Sequence, residues 1–458
     1  MSFDSGNHSG SALSEANATL DDSVQKASVG VYPWFVIGVL IFALTLSFID
    51  RQILSLLVGP IKSELQINDT QMSMLQGFAF AIFYVLLAIP VGRAADHYNR
   101  RNIIAIGIGV WSFFTALCGF AKNFGIMFLA RVGVGAGESS LMPASYSLIA
   151  DYFPKERVST AISIFQTGVS LGVGLAMLFG GMVVNYTESF KEVTLPLVGT
   201  VSSWRLTFVI VSIPGILAII ALMFVKEPKR KSLEAHHKTH FTIAEVLAYM
   251  FQRKRLILSH FLGFSLLATV SSGLMAWSPT YFVRSFGWSA GDAGVYLGLV
   301  ALFIGTTAII AGGALVDKLF KAGYRDAPLR IGIFTAIGMA IFGSALAFCN
   351  SAGIAQIVML PLMFCSFSFL GVAPAALQLV LPNNLRAQVS AIYMLTANLV
   401  GLGLGPTVIA IVTDYGYRNE AMLKYSLATT IPIVALLAAI VLLSGFKAYR
   451  AEHLVQNP

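Results

Sequence analysis

The chain has 458 residues, of which only 11% are charged and 56% are apolar, and its formal net charge is +8. Soluble domains carry about a quarter of their residues as charges. A composition this poor in charge cannot cover a water-facing surface, so a soluble enzyme is excluded and a polytopic membrane protein is expected.

Residues 1–30 are rich in Ser, Asn and Asp, with no basic start and no apolar stretch. They read as a disordered cytosolic tail, without a cleavable signal peptide. The chain then falls into apolar runs of the roughly 20 residues that a bilayer crossing needs. Tyr32–Pro60 is the first, followed by Met72–Val91, Asn102–Ala121, Phe124–Ala150, Val158–Thr187 and Phe208–Val225. A hydrophilic stretch, 226–255, comes next. Within it Thr242-Ile243-Ala244-Glu245 fits a capping box opening a short amphipathic helix. Leu256–Val283 and Trp288–Val316 resume the pattern. Ile331–Leu385 is uncharged for 55 residues, which demands two helices turning near Asn350-Ser351-Ala352-Gly353. Ala387–Thr413 and Tyr425–Phe446 complete twelve crossings, before a short tail at 447–458.

With the N-terminus inside, 21 Lys and Arg residues fall on the cytosolic side and 7 on the other, while Arg51 and Arg131 lie within spans. That bias predicts both termini in the cytoplasm, in the inner membrane for a bacterial chain. It also accounts for the basic charge without nucleic acid. Cys118, Cys349 and Cys365 sit in apolar runs with neither disulfide nor metal spacing. No phosphate loop is present, and no cofactor is expected.

The fold expected is all-α: a six-helix bundle at 31–225, a cytosolic linker at 226–255 and a second six-helix bundle at 256–446. The two bundles echo each other. Gly92 and Asp96 close span 2 as Gly313 and Asp317 close span 8, and Arg157, Gly172 and Gly174 recur as Arg386, Gly401 and Gly403. Such repeats place a substrate site at the midplane between them, served by alternating access.

Charges within spans are costly and mark function by default. The expected constellation is Asp50 and Arg51 in span 1 with Arg131 and Glu138 in span 4. Helical rise places Asp50 and Arg131 at similar depth and Glu138 two turns below Arg131, on the same helix face. Asp50 is therefore expected to face Arg131. A proton on Asp50 would free the guanidinium for an anionic head group, with Glu138 a second proton site or the group that reclaims the arginine. Gln76, Phe80, Tyr84, Tyr146, Gln166, Trp277 and Asn398 are candidate pocket residues. Gly133-x-Gly135-x-Gly137 lies mid-span and is not a dinucleotide fingerprint. It reads as close helix packing, and Pro143, Pro279, Pro374 and Pro406 as kinks.

The run Gly92-Arg93-Ala94-Ala95-Asp96-His97-Tyr98-Asn99-Arg100-Arg101 resembles the signature of the major facilitator superfamily between spans 2 and 3, with Asn99 where that family has Gly. Phe48-Ile49-Asp50-Arg51-Gln52 and the segment Arg131–Ser140, running on to Leu148-Ile149-Ala150-Asp151-Tyr152-Phe153-Pro154, are similar to its Spinster branch. The resemblance implies a proton-coupled carrier of lysophospholipid or sphingolipid-phosphate anions, with Asp50, Arg131 and Glu138 as the matching positions, and a monomer is the expected unit. It also implies a cytosolic latch between the halves from Asp96, Arg100 and Arg101, with Asp151, Arg157 and Asp317 joining it. The Asp-Arg pair of span 1 occurs as well in the organic-anion and sugar-acid symporters of the superfamily, which keeps small soluble acids as an alternative cargo.

Overall fold

The computed structural model describes residues 30–190, 192–195, 199–228, 230, 243–382 and 385–456. The N-terminal tail and Thr242 of the capping box lie outside them. The first half comprises span 1 (Val31–Leu56), span 2 (Asp69–His97), span 3 (Arg100–Cys118), span 4 (Phe124–Glu138 and Leu141–Tyr152), span 5 (Lys155–Glu188) and span 6 (Ser203–Met223). The second comprises span 7 (Lys254–Phe286), span 8 (Ala290–Lys321), span 9 (Ala327–Phe348), span 10 (Ala352–Ser368 and Val372–Val380), span 11 (Arg386–Ile411, widening at Val412–Tyr417) and span 12 (Leu423–Gln456). A linker helix, Ile243–Gln252, precedes span 7. Among the described residues, eleven helices are each long and apolar enough to cross a bilayer. The twelfth crossing is span 4, whose two pieces are too short to count separately.

Span 4 breaks at Ser139-Ser140 for a local reason. Pro143 has no N–H to offer the Ser139 carbonyl four residues back, and its ring crowds that carbonyl. Span 10 breaks at Phe369–Gly371 just before Pro374, at the corresponding place in the second half. Spans 2 and 8 each contain one widened π turn, Met74–Phe78 and Ala301–Gly305. Duplication is thus visible in backbone irregularities as well as in sequence.

One feature was not foreseen: a two-stranded antiparallel hairpin, Glu192–Leu195 with Gly199–Ser202, joins spans 5 and 6, with Glu192 opposite Ser202. Its end is tied to the short helix Val58–Leu65 through Glu64, which accepts from Ser202 Oγ at 2.7 Å and Arg205 Nε at 2.8 Å. Burial alone pushes the Glu64 carboxyl up, but hydrogen bonds from Ser202, Trp204 and Arg205 outweigh it and hold it below the ordinary range.

Two apolar cores coexist. One fills part of the first half around Trp111, Phe153 and Phe165, and the other runs through the second half and across to residues of all six spans of the first.

Candidate functional site

The two halves meet at the end of the bundle away from the linker, called here the far end. Asp69 at the start of span 2 is fully buried and accepts two hydrogen bonds from Arg284 of span 7, at 2.6 and 2.8 Å. It also pairs with Lys62, whose Nζ reaches Glu420 of the second half at 2.6 Å. Asp414 accepts from both the backbone N–H and the hydroxyl of Thr70, each at 2.7 Å. Asn185 donates to Asp292 at 3.2 Å. The backbones come close enough here to exclude side chains: a Cβ on Gly77 would lie 2.2 Å from the Leu402 carbonyl oxygen, and one on Gly181 2.6 Å from that of Gly291. Among the described residues, the ion pairs joining the halves are Lys62–Glu420 and Asp69–Arg284, both at this end.

The linker end differs. Arg100 is buried, with Nε at 2.7 Å from Glu227 and Nη1 on Asp151 and the Ser147 carbonyl. Glu227 also accepts from the Arg101 backbone N–H, at the start of span 3, where a carboxylate suits the helix dipole. All of these residues belong to the first half or its edge. Gly92 packs beside Pro143, while Asp96, Arg157 and Asp317 are exposed. The expected latch between the halves is therefore an assembly within the first half in this conformation. The physical reason is that the halves are drawn together at the far end.

Between the halves lies a cavity of about 320 Å³, walled by spans 1, 2 and 5 on one side and spans 7, 10 and 11 on the other. Its walls are largely apolar, with Phe48, Phe80, Phe367, Phe369, Met275 and Met394 contributing. The polar lining consists of Gln52, Ser55, Gln76, Ser271, Ser272, Tyr393 and Asn398, and Arg51 is the charged residue on it.

Arg51 donates to Glu138 Oε2 from Nε at 2.7 Å and again from Nη2. Its guanidinium lies 4.5 Å from the Phe80 ring centre, 5.0 Å from Phe48 and 5.1 Å from Tyr84, a cation held over π faces. Phe80 and Tyr84 stack at 5.3 Å, and Tyr84 lies behind the lining. The Arg51 side chain is 19% exposed and that of Glu138 not at all.

Arg131 takes a different place. The expected Asp50–Arg131 ion pair is not formed: Arg131 Nη1 donates to the main-chain carbonyl of Asp50 at 3.1 Å, and Nε to that of Leu75 at 3.2 Å. The widened turn of span 2 supplies the reason. There the Ala79 N–H reaches back to Met74 rather than to Leu75, which opens a carbonyl to a side-chain donor. Arg131 is buried, off the cavity lining, and bridges spans 1, 2 and 4. Asp50 Oδ1 and Glu138 Oε1 are buried without a hydrogen-bond partner among the described residues.

Of the other candidates, Gln76, Phe80 and Asn398 line the cavity. Trp277 is buried between spans 7 and 11 and donates to the Pro406 carbonyl at 2.9 Å. Tyr146 packs edge-on against Phe165 at 5.8 Å, and Gln166 is exposed. Gln52, Ser55, Ser271 and Ser272 were missed, although each is a polar residue inside an apolar run. The far-end groups were missed because no local signal pairs residues 215 positions apart, as Asp69 and Arg284 are.

Residues 40–406 match the family model of the Major Facilitator Superfamily, and the chain belongs to that family. It is a multi-pass secondary transporter of Spinster-like type rather than an enzyme. An MFS-type efflux pump of Mycolicibacterium smegmatis is 28% identical, over 83% of this chain and 84% of the relative. Protein spinster of Drosophila melanogaster is 24% identical, over 87% of this chain and 64% of its own length. A probable galactarate/D-glucarate transporter of Bacillus subtilis is 26% identical, over 71% of this chain and 74% of its own. The crystal structure of a bacterial homologue of the human lysosomal transporter Spinster, inward-facing and unoccupied, superimposes with a TM-score of 0.74 at 25% identity, covering 93% of this chain and 98% of that one.

Proposed function

We propose that this transporter moves an amphipathic anion of the lysolipid type, lysophospholipid or sphingolipid phosphate, by proton-coupled alternating access. The observation that carries the reading is the placement of one guanidinium, Arg51, on an otherwise uncharged and largely apolar wall, held from behind by the buried Glu138. A phosphate or carboxylate head group would take the Arg51 fork, for which its geometry is suited. The tail would lie along the phenylalanine and methionine walls. Glu138 and Asp50 are the proton acceptors in this reading, because each is a carboxyl buried within the bundle beside the arginine pair. A proton on Glu138 loosens its hold on Arg51 as the anion arrives, and anion departure lets the pair re-form. Protons are the coupling ion, no other cofactor is needed, the unit is a monomer and both termini face the cytoplasm. Asp96, Arg101, Arg157 and Asp317 would come together at the linker end when the far end opens.

A second reading, proton-linked transport of small sugar acids, is favoured by the amide and hydroxyl groups of Gln52, Gln76, Asn398 and Ser272 on the same wall. The deciding experiment is binding of lysophospholipids of graded tail length, beside glucarate and a hexuronate, at two pH values. The lipid reading expects affinity to rise about fourfold per methylene, since each buried CH₂ contributes about 0.8 kcal/mol. It also expects binding to be lost in Arg51→Ala. Tail-independent binding of the short acids replaces it with the second reading.

A further inference from the structure

Beyond the central pathway, we infer that the groove between spans 11 and 12 at the far end is a binding site for an anionic phospholipid of the surrounding bilayer. The groove holds about 450 Å³ and is lined by Val408, Val412, Gly416 and Tyr417 of span 11 and by Thr429 and Ile433 of span 12, among others. None of these residues lines the central cavity. Span 11 widens beside the groove into the π turn Val412–Tyr417.

Its rim has the chemistry of a phospholipid head-group contact. Tyr417 and Tyr425 face each other from the two helices at 6.2 Å, and Tyr415 is exposed beside them. Tyrosines at this level suit the membrane interface, where an apolar ring and a polar tip are both satisfied. Each bridging tyrosine is followed or preceded by a cation: Arg418 after Tyr417, and Lys424, whose Nζ is 4.9 Å from the Tyr425 ring centre, before Tyr425. Neither cation forms an ion pair among the described residues, whereas the neighbouring carboxylates Asp414 and Glu420 are engaged with Thr70, Lys62 and Arg284. Arg418 moreover occupies a left-handed backbone position at φ 56°, where a glycine or asparagine would be easier. Two cations above an apolar slot in a membrane-spanning surface complement a phosphate carrying an acyl chain.

The site has a mechanical connection. Asp414, which ties the second half to Thr70 of the first, lies inside the same wide turn, between the groove residues Val412 and Gly416. A lipid seated against that turn would hold Asp414 in place and favour closure of the far end.

Native mass spectrometry of the full chain, titrated with phosphatidylglycerol and with phosphatidylcholine, tests this. Phosphatidylglycerol is expected to bind preferentially, with affinity falling about fivefold per cation removed in Arg418→Gln and Lys424→Gln. Ile433→Trp, which fills the slot and keeps both cations, is expected to weaken both lipids. Arg51→Ala is expected to change neither. Equal phosphatidylglycerol binding by wild type and all three groove variants overturns the inference. So does loss of that binding in Arg51→Ala, which would place the lipid in the central cavity.

Discussion

Two arginines, twin candidates in the sequence, have separate physical tasks. Arg131 donates from Nε and Nη1 to the carbonyls of Leu75 and Asp50, deep among spans 1, 2 and 4. Removing it leaves buried acceptors unmatched, and each such group costs about 1–3 kcal/mol. Arg131→Ala is therefore expected to lower thermal stability in detergent sharply or to prevent recovery of monodisperse protein. Arg51 touches the cavity and has one carboxylate partner. Arg51→Lys is expected to stay folded yet bind the anion at least tenfold more weakly, because an ammonium cannot make the two-pronged contact. Glu138→Gln separates proton from anion. The amide still receives one bond from Arg51 but cannot take up a proton, so anion affinity should lose the part of its pH dependence that Glu138 supplies, leaving that of Asp50, while counterflow exchange persists. A Glu138→Gln protein whose binding keeps the wild-type pH dependence would remove Glu138 from the coupling.

At the scale of elements, how much of the structure could be read ahead followed from how local its cause was. The spans were legible from apolar run length, and the breaks of spans 4 and 10 from Pro143 and Pro374. The partner of each buried charge was not, because adjacent residues on a helix point about 100° apart. Which of Asp50 and Arg51 faces span 4 depends on rotations that packing decides. The widened turn that opens the Leu75 carbonyl has no sequence signature in Met74–Phe78, and the hairpin at Glu192–Ser202 is too short to stand out from a loop. One contact between elements gives a pH prediction. Asp326 is almost fully buried between spans 8 and 9 and accepts from Arg330 at 2.9 Å and from Arg450 of span 12 at 2.6 Å. Burial pushes its carboxyl up, but the hydrogen bonds from Arg330 and Arg450 prevail and hold it below its ordinary value. A depressed carboxylate stabilises the fold above its unfolded-state value, and the contribution disappears as pH falls through the folded one. Asp326→Asn should thus cost about 2 kcal/mol at pH 7, with both arginines partly exposed. The gap to wild type, measured as melting temperature across pH, should narrow toward pH 3; a gap constant across that range would contradict the assignment.

For the molecule as a whole, the conformation is set by which end of the two bundles is fastened, and the fastening at the far end is electrostatic and steric together. Asp69 receives Arg284 and Lys62 at once, and with its charge removed those two cations would face each other with Glu420 alone between them. Asp69→Asn therefore removes the Arg284 pair, an attraction that exists only while the far end is closed, without touching the cavity lining. Differential stabilisation of one state is what moves a two-state equilibrium, and about 1.4 kcal/mol shifts it tenfold. The variant should populate the state open at the far end at least tenfold more than wild type. Gly77→Leu should act in the same direction by wedging span 2 away from the Leu402 carbonyl. Spin labels at Thr160 in span 5 and Lys318 in span 8, both exposed at the linker end of opposite halves, report the change as a shortened distance distribution. Agreement between the charge variant and the steric one would identify closure of the far end as the common cause, since the two substitutions share no chemistry. Unchanged distances in both, with folded protein, would mean that the remaining contacts, Lys62–Glu420, Thr70–Asp414 and the packing of spans 5 and 8 around Gly181 and Gly291, are enough to hold the halves together.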